Sequence, residues 1–232
     1  MRKVVKPAGT APAAPRIAVW DAPTRLFHWL LVGLIGFSWW SARAHEMDWH
    51  RLSGISVLGL LVFRLIWGFV GGSTARFARF VRSPIAVLAY LGRSPAAAVR
   101  KGHNPLGGYS VMTMLLLLVT QVGTGLFTTD TDGLESGPLS YLVDFDQSRV
   151  AAKIHKLSFD GIEILVALHV LAILFYLVLR RRNLVWPMVI GSEPPAEHSD
   201  HDEPVRERPV RFVLVALVAA ALAWWVGNGA NI

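Results

Sequence analysis

The sequence predicts an all-α integral membrane protein, a four-helix transmembrane bundle followed by a fifth C-terminal transmembrane helix. Three observations carry this. Of the 232 residues, 53% are hydrophobic and only 17% are charged, where a soluble domain carries about a quarter charged residues. Five apolar stretches are long enough, or nearly so, to cross a bilayer, which takes roughly 20 residues. Several of the nine Trp stand near the ends of those stretches, where interfacial aromatic belts form.

The elements follow in order. Residues 1–18 form a basic, Pro/Ala-rich tail with no apolar core before its small residues, unlike a cleaved signal peptide. Residues 19–190 hold four spans. The first runs from about Leu26 to Ala42, after the helix-start signal Asp21-Ala22-Pro23. The second runs from about Leu52 to Val70, the third from Leu106 to Phe127, and the fourth from Val150 to Leu179. Ser83 to Val99 is apolar but broken by two Ser-Pro pairs, and is expected to lie in the interface as a short helix. Residues 191–209 read as an acidic, Pro-containing linker, flexible from Glu193 to Glu207. Residues 210–232 hold the fifth span, Val210 to Val226.

Loop charge sets the orientation. The loop after the second span holds Arg76, Arg79, Arg82, Arg93, Arg100 and Lys101 with no acid, and the fourth span ends in Arg180-Arg181-Arg182. Arg2, Lys3, Lys6, Arg16 and Arg25 precede the first span. With alternating spans these share one side, which is cytoplasmic. Asp130, Asp132, Glu135, Asp144 and Asp146, between spans three and four, face out. The protein is thus expected in a bacterial inner membrane, N-terminus cytoplasmic and C-terminus periplasmic. The net charge of +7 does not indicate nucleic-acid binding, because the cations lie in short loops between apolar segments. The absence of Cys excludes disulfides, thiolate iron–sulfur clusters, covalently attached c-type haem and a thiol nucleophile.

Ionisable residues within a span are costly and mark function by default. His28, His50 and His155 stand in or at the start of spans one, two and four, and His169 lies well inside span four. Fourteen residues is nearly four helical turns, so His155 and His169 share a face to within about 40° and stand ~21 Å apart. That separation is too large for one metal ion and suits two cofactors stacked across the bilayer. Depth then pairs His50 with His155 at the outer side and His28 with His169 at the inner side. Each pair can clamp a planar cofactor from opposite faces, a description that bis-imidazole haem iron meets; such iron transfers electrons and has no open position for oxygen. Gly54 follows His50 by four on the same face, where a side chain would obstruct a ring; Gly33 and Gly36 flank the face of span one less neatly. Arg64 lies fourteen residues beyond His50, near the inner level. A buried Arg requires an anion, which a haem propionate would supply; the alternative is an Arg that snorkels to headgroups. For a single intramembrane His, a helix–helix hydrogen bond is a fair rival. His45 is a rival for the outer ligand, but it lies off the His50 face and is expected in the loop; His103 belongs to the cytoplasmic loop, and His198 and His201, which among acids could bind a metal, are expected in a solvated linker.

Several stretches resemble a known family. Val19-Trp20-Asp21-Ala22-Pro23-Thr24-Arg25-Leu26-Phe27-His28-Trp29 is similar to the first helix of the prokaryotic cytochrome b561 and nickel–iron hydrogenase b-type cytochromes. So are His50-Arg51-Leu52-Ser53-Gly54 through Phe63-Arg64-Leu65-Ile66-Trp67-Gly68-Phe69, and Gly102-His103-Asn104-Pro105-Leu106-Gly107. The stretch from His155 through His169 to Arg180, with Asn183-Leu184-Val185 after it, resembles the fourth helix. The resemblance covers about residues 17 to 190. It implies a four-helix bundle with two b haems, ligated from helices one, two and four, here His28, His50, His155 and His169. The acidic linker and fifth span depart from the minimal four-helix members.

The expected function is transmembrane electron transfer between a periplasmic redox partner (a c-type cytochrome, hydrogenase or other dehydrogenase) and the membrane quinone pool. The chain then acts as an electron-transfer subunit rather than as a catalyst alone. Arg64 and His103 are the inner-side candidates for quinone. Two rivals stand beside this. A stand-alone superoxide:quinone oxidoreductase would need a positive outer funnel, for which Arg43, Arg51, Arg149 and Lys153 are available among five acids. A haem-free membrane anchor would need none of the histidines.

Overall fold

Asp21 starts the first long helix: its carboxylate accepts from the Thr24 backbone N–H (3.0 Å) and Pro23 follows in the first turn, which satisfies one orphan donor and pre-sets φ. The chain, seen here in a computed structural model that describes residues 17–81, 83–91, 105–193, 205 and 208–230, is mostly helical. Its long helices are α1 (Ala22–Arg43), α2 (Met47–Val70), α5 (Pro105–Gly125), α6 (Phe145–Val178) and α8 (Pro209–Gly227). Shorter ones are α3 (Phe77–Phe80), α4 (Pro84–Leu91) and α7 (Val185–Ile190). A capping box between Asp144 and Gln147 starts α6.

The long helices alternate in direction. Ser38 of α1 meets His50 of α2 across a tight turn, Gly125 of α5 meets His155 of α6, and Gly227 of α8 meets Ile55 of α2. One end of the molecule, the upper end, therefore gathers the C-termini of α1, α5 and α8 with the N-termini of α2 and α6. The segment between α5 and α6 closes over it: Glu135 lies 3.6 Å from Arg51, and Tyr141 donates to Gly229 O (2.6 Å). The lower end carries the Arg-rich turns.

Packing divides into seams: α1 along α2, α5 along α6, α8 along the far side of α2, and α2 against α5. The core lies where α2, α5 and α8 meet, around Leu61, Phe63, Trp67, Leu118 and Ala219. The fifth helix thus packs on the bundle, with Gly59 close to Ala223 and Ala219, and Phe212 edge-on to Phe63 and Trp67. By contrast α6 leaves Ile164, Leu168, Leu171, Leu174 and Phe175 exposed, an apolar surface that needs lipid rather than water against it. Among the described residues four helices, α2, α5, α6 and α8, are long and apolar enough to cross a membrane. The first helix is 22 residues long, but its Trp, Ser and His side chains dilute its apolarity and it is not among the four. Exposed Trp39, Trp40, Trp49, Trp224 and Trp225 ring the upper end, and Trp29 and Trp186 the lower, the placement of two interfacial belts.

Expected boundaries shift at several elements. The first helix begins at Ala22, the second at Met47 and the fourth span's helix at Phe145, about a turn earlier than the apolar runs; at the first and the last of these an Asp side-chain cap sets the start. Ile17 and Ala18, expected in the tail, pair as a strand with Glu193 and Ser192. Glu193 is therefore not flexible linker; it is buried and bridged to Arg182 at 3.1 Å. Helix α4 supplies the short helix expected after Ser83, whose remainder to Val99, like residues 194–204, 206 and 207 of the linker, lies outside the described residues.

The lower end is locked by Asp21. It is fully buried, accepts from Trp67 Nε1 (3.0 Å) as well as from Thr24, and acts electrostatically on Arg64. Replacing Asp21 by Ala removes a helix cap, about 0.5–2 kcal/mol, and leaves a buried indole N–H unsatisfied, about 1–3 kcal/mol. Asp21→Ala is expected to lower the thermal unfolding midpoint in detergent clearly more than Trp67→Phe does; equal midpoints for Asp21→Ala and the parent would contradict the lock.

Candidate functional site

The histidines singled out in the spans come together in two pairs across the helices. At the upper level His50 of α2 faces His155 of α6, ring centres 6.1 Å apart and planes at 87°. At the lower level His28 of α1 faces His169 of α6, 6.5 Å apart and at 57°. One helix, α6, supplies a ring to each level, and the α1–α2 hairpin supplies the other two.

The upper rings are held from behind. His50 donates from Nδ1 to Ser38 O (2.9 Å), with Ser38 Oγ at 3.2 Å. His155 donates from Nδ1 to Gln121 O (2.8 Å). A carbonyl can only accept, so Nδ1 carries the proton and Nε2 the lone pair in both rings. Gly125 completes the seat: a Cβ there would stand 2.9 Å from His155 Cε1 and 3.0 Å from Nδ1. The side chain of Gln121 also takes part. Its Nε2 lies 3.0 Å from His155 Nε2, and Ser158 Oγ donates to its Oε1 at 2.5 Å. The His155 Nε2 lone pair serves either that amide or a metal, so ligation requires the Gln121 amide to swing aside.

The lower rings have no such support. His28 Nδ1 is buried without a hydrogen-bond partner, and among the described residues neither ring nitrogen of His169 is hydrogen-bonded. The Trp29 ring stands edge-on to His28 at 5.0 Å, and Trp29 Nε1 donates to Met188 O (3.1 Å). This ties α7 beneath the lower pair.

The other sequence candidates fall as follows. A Cβ at Gly54 would meet nothing within 4 Å, as at Gly33 and Gly36, so those surfaces face open space. Arg64 does not snorkel. It is 3% exposed, donates to Ala75 O (3.2 Å) and lies 4.9 Å from the Phe77 ring centre. His45 sits in the α1–α2 turn at φ 59°. His103, His198 and His201 lie outside the described residues. Sequence reasoning missed Ser38, Gln121, Gly125 and Ser158. Span three had no histidine to draw attention to it, and a backbone carbonyl that orients a ring leaves no signature in residue type.

The spacing of both pairs admits a shared metal. With each imidazole nitrogen about 2.0–2.1 Å from a first-row metal and its ring centre about 1.1 Å behind it, two axial rings are centred about 6.3 Å apart. The donor set is imidazole only, and no group of three or more His, Cys, Asp or Glu that could hold a bare ion occurs among the described residues. Two imidazoles facing each other fit a metal whose remaining positions are filled by an organic ring. His28 Nδ1, buried and unpaired, fits as well, since a polar atom so placed calls for a partner.

The fold and site define a multi-pass helical membrane protein with imidazoles paired across its helices. The family model described as prokaryotic cytochrome b561 matches residues 19–191, well over half of the chain, and the protein belongs to that family. It is a membrane family that binds b-type haem for electron transfer. Among curated proteins and among solved structures, nothing matches the chain significantly. The match ends before α8, so the fifth helix is an addition to the family domain.

Gly125 gives a direct test of the upper seat. Gly125→Val is expected to push His155 off the Gln121 carbonyl and to lower haem content per purified chain. Gly161→Ala, on the same α5–α6 seam but against Leu117, is expected to leave haem content unchanged. Full haem content in Gly125→Val would show that His155 is not used.

Proposed function

We propose that the two histidine pairs would hold two b haems, His50 and His155 at the upper level and His28 and His169 at the lower. On this reading the protein carries electrons across a bacterial inner membrane between a periplasmic redox partner and quinone. The observation that carries it is the ring spacing, 6.1 and 6.5 Å, at both levels of one bundle. Bound there, a haem would supply reversible one-electron transfer.

The chain's own residues bind, orient and enclose. Ser38 O and Gln121 O fix the tautomer of the upper rings, which leaves each Nε2 as the nitrogen that could bind a metal. Gly54, with open space beside it, leaves room for a macrocycle. Arg64 gives Ala75 one of its five N–H donors; another would meet a propionate of the lower haem. The first helix is the fourth member of the spanning bundle and α8 the fifth span. The acidic upper segment faces the periplasm and the Arg-rich lower turns the cytoplasm.

The partner class follows from charge. Asp130, Asp132, Glu135, Asp144 and Asp146 crowd the upper end, which favours a basic docking patch such as a c-type cytochrome offers; a hydrogenase or another dehydrogenase is the further class. The superoxide reading is weaker because three of its four cations make contacts of their own. Arg51 pairs with Asp48 and Glu135, Arg43 lies over Trp39, and Arg149 donates to Thr129 O.

A haem assay on purified protein is expected to give two b haems per chain, with dithionite-reduced minus oxidised spectra of b type. His155→Ala or His169→Ala is expected to lose about half of the haem while the chain still inserts. Fewer than two haems in the parent would overturn the scheme, and unchanged colour in both variants would favour a haem-free anchor.

A further inference from the structure

We infer that one outer face of α6 is an interface between two copies of this chain, joined along a seam of charged side chains inside the membrane. The contact does not depend on metal in the histidine pairs.

Helix α6 carries two carboxylates at depths where lipid surrounds the bundle. Gly161 stands against Leu117 of α5 and the two helices run antiparallel, so Asp160 lies about level with Leu118 and Glu163 with Leu115. Leu115 is near the middle of the Leu106–Gly125 span. Both carboxylates are exposed. With about 100° between successive residues, Asp160 is turned about 140° from His155 and Glu163 about 80°. Ser158 and Gly161, which meet α5, are turned the other way. The two carboxylates therefore point out of the bundle, where an unpaired charge is costly. Lys156 and Lys153 stand above them, near the upper end of α5. A Lys stem reaches headgroups from there, whereas the shorter Asp and Glu side chains do not reach them from mid-depth. Among the described residues none of these four side chains takes part in an ion pair or a side-chain hydrogen bond.

The same face has the period of a helix pair. Lys156, Asp160, Glu163, Ala167, Val170 and Leu174 follow one another in alternate steps of four and three residues, and all are exposed. That spacing is the seam of two helices wound about each other. The seam runs beside the wholly apolar strip of Ile164, Leu168, Leu171 and Phe175, which is left to lipid.

Charge names the occupant. Residues 29–42 of α1, 52–63 of α2, 105–125 of α5 and 212–227 of α8 hold no charged side chain, so no other spanning face of the chain complements the seam. The seam complements itself. Two copies inserted in the same direction present parallel α6 helices about a two-fold axis, and such a contact is reciprocal. Lys156 and Asp160 are one layer apart, about 6 Å along the axis. Lys156 of each copy then reaches Asp160 of the other, twice by symmetry. Lys153 one step above and Glu163 one step below keep bases and acids equal in number. Glu163 finds in its counterpart the polar neighbour that lipid does not offer. Below it Ala167, Val170 and Leu174 continue the contact as apolar packing, and the small Ala167 permits close approach.

The protein has no Cys, so single Cys substitutions report the contact directly. In membranes holding the full-length chain, Ala167→Cys is expected to give a disulfide-linked pair of this chain under mild oxidation. Leu168→Cys, also exposed but turned about 100° away, is expected to stay unlinked. Light scattering on the purified protein should give two chains per particle. Lys156→Asp should reduce this to one, and Lys156→Asp combined with Asp160→Lys should restore it, because the reversed seam is again its own complement. Equal linking at both positions, linking of Ala167→Cys to a different protein, or no link at Ala167→Cys in the membrane overturns the inference. So does a doubly reversed variant that remains a single chain.

Discussion

An imidazole inside a bilayer must have a polar partner, and a helix longer than the bilayer is thick can offer two of them at different depths. Helix α6 does this. Its 34 residues carry His155 and His169 about 21 Å apart on one face, and the remainder of the bundle is arranged to answer both. A single hairpin suffices. Helices α1 and α2 run antiparallel through a tight turn, so His50 near the start of α2 rises to the level of His155 while His28 near the start of α1 falls to the level of His169. The number of levels, the pairing and the direction of each helix all follow from that one repeat along α6.

The other elements serve this frame. Helix α5 contributes no ligand, yet its backbone carbonyl at Gln121 and the bare surface at Gly125 decide where the His155 ring can stand. Asp21 caps α1, holds Trp67 of α2 and sits within electrostatic reach of Arg64, so the lower ends of the hairpin are tied together close to His28. The short strands of Ile17–Ala18 and Ser192–Glu193 bring the two limits of the family domain side by side, and α7 closes under Trp29. Helix α8, beyond the family domain, covers the side of α2 opposite the histidines with small residues and Phe212. A glycine at position 59 permits that approach.

Much of this was legible in the sequence because it rests on periodicity and charge. The fourteen-residue interval gives depth and face without a structure, and the alternation of Arg-rich and acidic loops gives each helix its direction, which together dictate His50 with His155 and His28 with His169. What was not legible depends on the backbone. The carbonyls of Ser38 and Gln121 belong to no motif. The pairing of Ile17 with Glu193 joins segments about 175 residues apart, too short and too distant to leave a pattern. Arg64 was read from its depth as a partner for an anion, and the structure adds the turn it holds, Ala75 and Phe77, and the carboxylate near it. The first helix shows the opposite limit: its His, Ser and Trp residues, the very ones that face its partners and interface, make it the least apolar of the long helices.

The proposed ligand pairs require metal between the paired rings, and the most direct measurement is an anomalous difference map at the iron edge from crystals of the haem-loaded protein. Two peaks are predicted per chain, one between His50 and His155 and one between His28 and His169. A single peak, or iron bound away from these four side chains, would contradict it.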